Sequence, residues 1–177
     1  MIKFSVKPET TDDHKAVFDV IQAAFAKVEE SDHREQFLVE RIRKSEVFVP
    51  ELSLVAKTDG KIVGHILLTP IRIVNGQEQF SSLALAPVSV LPAYQRMGIG
   101  RALIEAGHHF ARLQGYGSIV LLGHASYYPQ LGYSLAEDFG ITLPFDVPSE
   151  NCFAIELEKD ALQDITGTVV YPEAFTE

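Results

Sequence analysis

The chain has little cysteine, little positive charge and no long apolar run. Its one cysteine, Cys152, excludes an internal disulfide. No apolar stretch approaches the roughly 20 residues needed to cross a bilayer. The N-terminal residues Met1–Lys7 alternate as a short strand does, which is not the pattern of a signal peptide. We therefore expect a cytoplasmic protein.

The scarcity of basic residues also limits the classes of partner. Lysine and arginine total 15 against 24 aspartates and glutamates, which gives a formal net charge of −9. Nucleic acids require a clustered basic surface, so no nucleic acid and no membrane surface is predicted as a partner. The acidic balance is compatible with a cationic small molecule. The six histidines and Cys152 lack the spacing of a zinc site, so no metal is predicted.

What is present is typical of one globular domain covering residues 1–177. Hydrophobic residues make up 46% of the chain and charged residues 22%, enough for a substantial core. No internal repeat and no linker rich in Pro, Gly or Ser divides the sequence.

The first half indicates a strand, two helices and a series of hairpins. One face of a first helix is formed by Val17, Val20, Ile21, Ala24 and Phe25. Asp32 with Glu35 resembles the capped start of a second helix that carries Phe37, Leu38, Arg41 and Ile42. The Asp-Gly and Asn-Gly pairs that follow are hairpin signals. The strands they connect are predicted at Ser53–Lys57, Lys61–Pro70, Ile71–Val74 and Gln77–Leu85.

The second half predicts a strand, a helix and a buried strand in succession. An apolar run ends at Val90, and a 4-3-4-3 spacing of apolar residues then predicts a helix that ends near Gly115. The apolar run Ser118–Leu122 is typical of a strand buried on both faces. The crossover helix implies that these two strands are parallel. Pro87 cannot donate to a strand ladder, so we expect a bulge or splay there. Further strands are predicted at Cys152–Leu157 and Asp164–Val170. The apolar face of the helix that follows Val90 comprises Ile99, Leu103, Ala106, Phe110 and Leu113.

The connection between that strand and that helix carries the most specific motif. It reads Gln95, Arg96, Met97, Gly98, Ile99, Gly100, Arg101. Two glycines at a helix start expose backbone N–H groups that can hold phosphate, although a loop that merely starts a helix has the same pattern. Leu103 stands where a dinucleotide fingerprint needs a third glycine, and Arg101 stands where a P-loop needs lysine.

This motif resembles motif A of the GCN5-related N-acetyltransferase (GNAT) family. Two further segments support the resemblance: Ile62–Ile66 is similar to the strand before motif A, and Tyr127–Tyr133 is similar to the family's Tyr-x-x-x-Gly-Phe signature, with tyrosine replacing phenylalanine. The stretches Pro144–Pro148 and Gly167–Pro172 resemble the bacterial YhbS-like branch.

The resemblance implies an α/β fold: a mixed, mostly antiparallel sheet with helices on both faces and a splay between two central parallel strands. It implies acetyl-CoA as cosubstrate and Tyr128 as the general acid. No dedicated base is assigned, although Glu29, Glu30, Asp32, Glu35, His65 and His124 are conceivable. The predicted acetyl-CoA contacts are Val88, Ser89, Val90, Gln95, Arg96, Met97, Gly98, Ile99, Gly100 and Arg101.

The predicted activity is transfer of an acetyl group from acetyl-CoA to a primary amine of a small acceptor by direct attack. Acetylation of a protein N-terminus or lysine is an alternative, as is a CoA-binding sensor without activity. A third is an interaction protein in which the glycine loop is structural. The acceptor cannot be identified from these residues, and a homodimer is left open.

Overall fold

The computed structural model describes residues 1–176, which form two compact units. The first unit contains residues 1–69 and 86–110, and the second contains residues 70–85 and the chain from Ala111 onward. The single domain predicted over residues 1–177 stays a prediction.

The first unit contains a set of antiparallel strands. Strand β1 (Ser5–Pro8) pairs with β2 (Ser53–Thr58), and β2 pairs with β3 (Lys61–Asn75) with a register shift between Ala56 and Lys57. The turn between β2 and β3 has positive φ at both Asp59 (49°) and Gly60 (75°). Two such residues are what a type I′ hairpin requires, so the Asp-Gly hairpin prediction is confirmed. The strand break predicted at Pro70 is wrong, because β3 continues through it to Asn75.

Three α-helices are present among residues 1–176: α1 (His14–Phe25), α2 (Glu35–Arg43) and α3 (Ile99–Leu113). The buried face of α1 contains the predicted Val17, Val20 and Ile21. On α2 the inner face is Gln36, Val39 and Ile42, whereas Phe37 is 40% exposed, so the predicted face was rotated by about one residue.

Helix α3 begins as predicted, but its buried face is rotated from the predicted one, because Ile104 and Ala111 are also buried. Ile99 and Leu103 are buried, whereas Leu113 is 66% exposed. Gly107 lies on the buried face, where an added Cβ would be 3.2 Å from Leu68 Cδ1. A residue without a side chain therefore lets this helix approach β3, which a count of apolar residues cannot reveal.

The second unit contains the later strands, together with the parts of β3 and β4 that lie within residues 70–85. Strand β4 (Glu78–Val90) pairs in parallel with β5 (Ser118–Leu122), which pairs antiparallel with β8 (Cys152–Glu156). Strand β9 (Gly167–Val170) pairs antiparallel with Arg72–Val74 of β3. Two strands of two residues each were not predicted: β6 (Ser134–Leu135) on β8, and β7 (Ile141–Thr142) parallel to β9.

The strand order is β1-β2-β3-β4-β5-β8-β6, with β9 beside β3 and β7 beside β9. Most neighbours are antiparallel, so the predicted mixed sheet is confirmed. The parallel pairing of β4 with β5 consists of Leu83 with Ile119 and Ala84 with Val120, both before Pro87. Val88–Val90 therefore lie beyond the paired region, as the expected splay requires. In the part of the chain that the structure describes, no helix combines the length and apolarity of a bilayer span.

Candidate active site

The end of β4 and the loop after it are held by local hydrogen bonds in the first unit. The Leu91 N–H donates to the Val63 carbonyl at 2.8 Å, which keeps the end of β4 beside β3. The Gln95 side-chain amide donates back to the Val90 carbonyl at 3.1 Å. This side chain therefore ties the loop back to the end of β4.

The start of α3 presents unpaired backbone donors. The first bond of the helix runs from the Ala102 N–H to the Gly98 carbonyl at 3.1 Å, so the amides of Ile99, Gly100 and Arg101 have no acceptor within the helix. Gly98 has a φ of 84°, and within residues 1–176 no heavy atom outside Gly98 and its two chain neighbours lies within 4 Å of the place where its Cβ would be. Space and donors occur together here, which suits an anionic group at the positive end of the helix dipole.

The side chains around these amides differ in their environments. Arg96 is exposed and has a φ of 63°. Arg101 donates from Nε to Glu105 Oε1 at 2.9 Å, with the two side chains 57% and 59% exposed. An exposed pair of this kind contributes little and can be exchanged for a stronger anion. Met97 is exposed, whereas Ile99 is buried in the core, so Ile99 can offer a ligand only its N–H.

The last residues of β4 also combine open and buried positions. Val88 and Val90 are half-buried, and Ser89 is 2% exposed. Within residues 1–176 the Ser89 Oγ has no hydrogen-bond partner. Because Val88–Val90 do not pair with β5, backbone N–H and carbonyl groups of this segment are available to a ligand.

Tyr128 lies in the second unit, at the first position of the 3-10 turn Tyr128–Leu131. Its ring is packed by Tyr127, Tyr133 and Phe153, with centroid distances of 5.1, 5.6 and 6.0 Å. Burial, with a smaller contribution from Tyr127, raises the pKa of Tyr128 to about 12. The phenol is therefore protonated at neutral pH, so in proton transfer it can serve as an acid but not as a base.

Solvent exposure distinguishes Tyr128 from Tyr127. Tyr127 is 38% exposed, whereas Tyr128 is 7% and Tyr133 is 3% exposed. Burial also raises the pKa of Tyr133. The tyrosine that replaces the phenylalanine of the Tyr-x-x-x-Gly-Phe signature is thus a packing residue of this cluster.

The candidate bases lie in contrasting environments. Glu29, Glu30, Asp32 and His124 are exposed, whereas Glu35 is half-buried and accepts a hydrogen bond from the Ser31 hydroxyl. His65 is completely buried, and burial lowers its pKa to about 4, with Glu9 opposing and Arg43 adding to that effect. A histidine of that basicity in the protein interior is a poor base for a substrate amine.

Sequence reasoning missed the network that surrounds His65. The Glu9 carboxylate accepts from Arg43 Nε at 2.9 Å, from Arg43 Nη2 at 2.7 Å and from Ser53 Oγ at 2.7 Å. The Ser53 Oγ lies 2.9 Å from His65 Nε2, so the ring nitrogen donates to the hydroxyl. Glu9 and Arg43 are 34 residues apart, and no local pattern announces such a pair. The ranges that the structure describes contain no group of three or more metal-ligating side chains placed to hold an ion.

Comparison with known proteins places this geometry in a family. The model of the acetyltransferase (GNAT) domain matches residues 5–136. The uncharacterized N-acetyltransferase YjhQ of Escherichia coli K12 is 37% identical over 136 residues, which cover 76% of this chain and 75% of YjhQ. YhbS of the same strain is 30% identical over 126 residues, covering 70% of this chain and 74% of YhbS.

Solved structures agree in fold. YhbS from E. coli in complex with CoA superposes with a TM-score of 0.89 at 24% identity, covering 100% of this chain and 94% of that one. A GNAT family acetyltransferase from Brucella melitensis in complex with acetyl-CoA gives a TM-score of 0.80 at 31% identity, with 99% of each chain covered. The fold is that of an N-acetyltransferase. The chain belongs to the GNAT family, in its YhbS-like branch.

Proposed function

We propose that this protein transfers an acetyl group from acetyl-CoA to a primary amine of a small acceptor by direct attack. Membership of the GNAT family makes it an acetyl-CoA-dependent acyltransferase. The observation that carries the site assignment is the start of α3, where three unpaired amides lie beside the open space at Gly98.

The loop fits a pyrophosphate by its donor chemistry. Backbone N–H groups of Ile99, Gly100 and Arg101 are fixed by the helix, so they need no reorganisation to meet an anion. Exposed Arg96 and Arg101 supply positive charge to a chain whose net charge is −9. Positive charge beside the loop is needed, because the net negative charge of the protein repels an anionic cosubstrate.

The segment Val88–Val90 suits the pantetheine arm. Its register with β5 ends at Ala84, so backbone groups after Pro87 can pair with an amide-containing ligand as they would with a strand. The unpartnered hydroxyl of buried Ser89 offers a further polar contact.

Tyr128 is proposed as the proton donor to the leaving group. Acetyl-CoA brings a thioester, whose cleavage by an amine releases a thiolate. A phenol with a pKa of about 12 holds its proton at neutral pH. Since a thiol has a pKa of about 8.5, complete proton transfer from this phenol is unfavourable until the thiolate charge is desolvated. We therefore expect the Tyr128 hydroxyl to donate a hydrogen bond that strengthens as negative charge develops on the sulfur. Positioned acids typically accelerate a reaction by about 10²–10⁴-fold, and we expect a factor near the lower end of that range.

No side chain is assigned as the base. His65 is enclosed, and Glu29, Glu30, Asp32 and His124 are exposed groups that can pass a proton to solvent. A primary amine that enters in its neutral form needs only such a path. The cytoplasmic location and the open question of a homodimer stay predictions.

The test is an acetyl-CoA assay that detects released thiol across amines, polyamines, amino acids, aminoglycosides and peptides with free N-termini or lysines. We expect turnover with at least one small amine. Turnover with peptides alone would replace the small acceptor by a protein one. Binding of acetyl-CoA without turnover on any acceptor would favour a sensor and overturn the proposal.

The companion test is Tyr128→Phe, which removes one oxygen and leaves the ring packing in place. We expect the single-turnover rate to fall about 10²-fold with acetyl-CoA affinity nearly unchanged. Tyr127→Phe is the matched control on the neighbouring, exposed ring and should be mild. A Tyr128→Phe rate within threefold of wild type would remove Tyr128 from the mechanism.

A further inference from the structure

Strand β5 ends in an unusual pairing with the residue that precedes β8. The β5–β8 ladder finishes at Leu122 with Cys152. One residue further on, the Gly123 N–H donates to the Asn151 carbonyl at 2.9 Å. A regular antiparallel pair would be completed by the Asn151 N–H donating to the Gly123 carbonyl.

That second bond is made by a side chain. The Asn151 N–H instead donates to the Pro148 carbonyl at 3.0 Å, inside the turn that leads into β8. The Asn151 side-chain Nδ2 donates to the Gly123 carbonyl at 3.0 Å. Gly123 therefore has both backbone polar groups bonded to one residue, and the two form what we call the Gly123–Asn151 pair.

The Tyr128 ring packs directly on Gly123. A Cβ added to Gly123 would lie 2.5 Å from Tyr128 Cδ2 and closer still to Cε2. No side chain fits between them, so the backbone of Gly123 is itself one wall of the ring's site. The remaining walls are the rings of Tyr127, Tyr133 and Phe153.

We propose that Asn151 is a positioning residue for Tyr128, acting by holding Gly123 at the end of β5 as the surface that supports the ring. The role in catalysis rests on the proposed function of Tyr128 as proton donor. The positioning itself does not, because it concerns only where the ring lies. The segment that joins Gly123 to Tyr128 consists of exposed residues, and both the Tyr127 and the Tyr128 N–H donate to the His124 carbonyl within it. The Gly123–Asn151 pair fixes where this segment begins.

The experiment compares Asn151→Ala with Asn75→Ala. Asn75 donates from Nδ2 to Thr166 Oγ1 at 2.9 Å in the same unit, so its replacement removes an asparagine side-chain hydrogen bond that does not involve Gly123. With ¹³C-labelled tyrosine, the signal of Tyr128 is assigned by its loss in Tyr128→Phe. We expect Asn151→Ala to shift this signal and speed ring flipping at least threefold, and Asn75→Ala to leave it unchanged.

Kinetics give the second measurement. Asn151→Ala should slow single-turnover acetyl transfer about 5- to 20-fold with acetyl-CoA affinity unchanged. In the Tyr128→Phe background the same replacement should change the rate less than twofold. Equal slowing in both backgrounds, or an unchanged Tyr128 signal in Asn151→Ala, would overturn the inference.

The two proposals fail in different ways. If Tyr128→Phe retains the wild-type rate, the acid role is lost, and the NMR signal alone then decides whether Asn151 positions the ring. Gly123→Ala provides a second route that spares Asn151: it should displace the ring directly and reproduce the NMR shift.

Discussion

Replacement of Gly98 tests the placement of the pyrophosphate, because this residue has two separable properties. Its φ of 84° strains any side chain except those that tolerate the left-handed region. Its missing Cβ also leaves open space, because no described residue other than its chain neighbours comes within 4 Å of the Cβ position. A substitution can therefore reduce stability through φ, reduce binding by filling the space, or do both.

The expected magnitudes follow from these two properties. Gly98→Ala should lower the unfolding free energy by about 1–2 kcal/mol through φ alone, since nothing clashes. For a chain of this length about 1 kcal/mol corresponds to about 2–4 °C in Tm, so the free protein should melt about 2–8 °C lower. Acetyl-CoA at a hundredfold excess over Kd adds about 2.7 kcal/mol, or about 5–11 °C, to the wild type.

Two further variants separate the effects in a thermal-shift assay with and without acetyl-CoA. Gly98→Asn places a side chain in the open space, but asparagine accepts positive φ, so the free protein should melt within about 2 °C of wild type. Its acetyl-CoA shift should fall by more than half. Gly76→Ala introduces the same kind of strain at a hairpin turn, where φ is 61° and space is also open. It should melt lower and keep the full shift.

The result that refutes the placement is a full acetyl-CoA shift in Gly98→Asn. Loss of the shift in Gly76→Ala would be equally damaging, because it would show that strain alone, at any site, is sufficient to abolish binding.

Two other predictions concern charge. Because burial first, then Arg43 and His14, lower the pKa of His65 to about 4 from 6.5, the unfolded chain binds a proton between these values that the native protein does not. The unfolding free energy should therefore rise by about 3 kcal/mol between pH 4 and 6.5 and level off above, and denaturant titrations of His65→Asn should lack this rise. Arg96→Gln should weaken acetyl-CoA binding about 3- to 10-fold and flatten its salt dependence, measured by calorimetry at two ionic strengths. An unchanged affinity would exclude Arg96 from the site.

The elements with a strong local signal were predictable. The helix after Gly98 and the strand Ser118–Leu122 were placed correctly because a period of 3.6 and an unbroken apolar run are properties of neighbouring residues. Strands β6 and β7 have two residues each, which is too short for any periodicity. They exist because β8 and β9 offer them unpaired edges, and that depends on the whole sheet.

The candidate site likewise has some parts that the sequence predicts and others that depend on the folded structure. The loop Gln95–Arg101 and Tyr128 were predicted as site residues because motifs carry them. Asn151 has no motif, and the role we propose for it rests on a hydrogen bond to a residue 28 positions earlier. The φ of Gly98 and the contact between Gly123 and the Tyr128 ring are likewise properties of the folded structure. The sequence therefore predicted the groups proposed for chemistry, but not the contacts that surround them.

The Glu9 network constrains how this sequence can change over time. Arg43 lies on α2, Ser53 on β2 and Glu9 directly after β1, and the Arg43 and Glu9 side chains are 8% and 2% exposed. Losing one member leaves a buried charge or hydroxyl unmatched, a loss of about 3–5 kcal/mol for a buried ion pair. Joint replacement by apolar residues of similar volume avoids that loss. We therefore expect Glu9, Arg43 and Ser53 to be substituted together in evolution. Related sequences should carry either all three polar residues or apolar residues at all three positions, and few should carry a mixture.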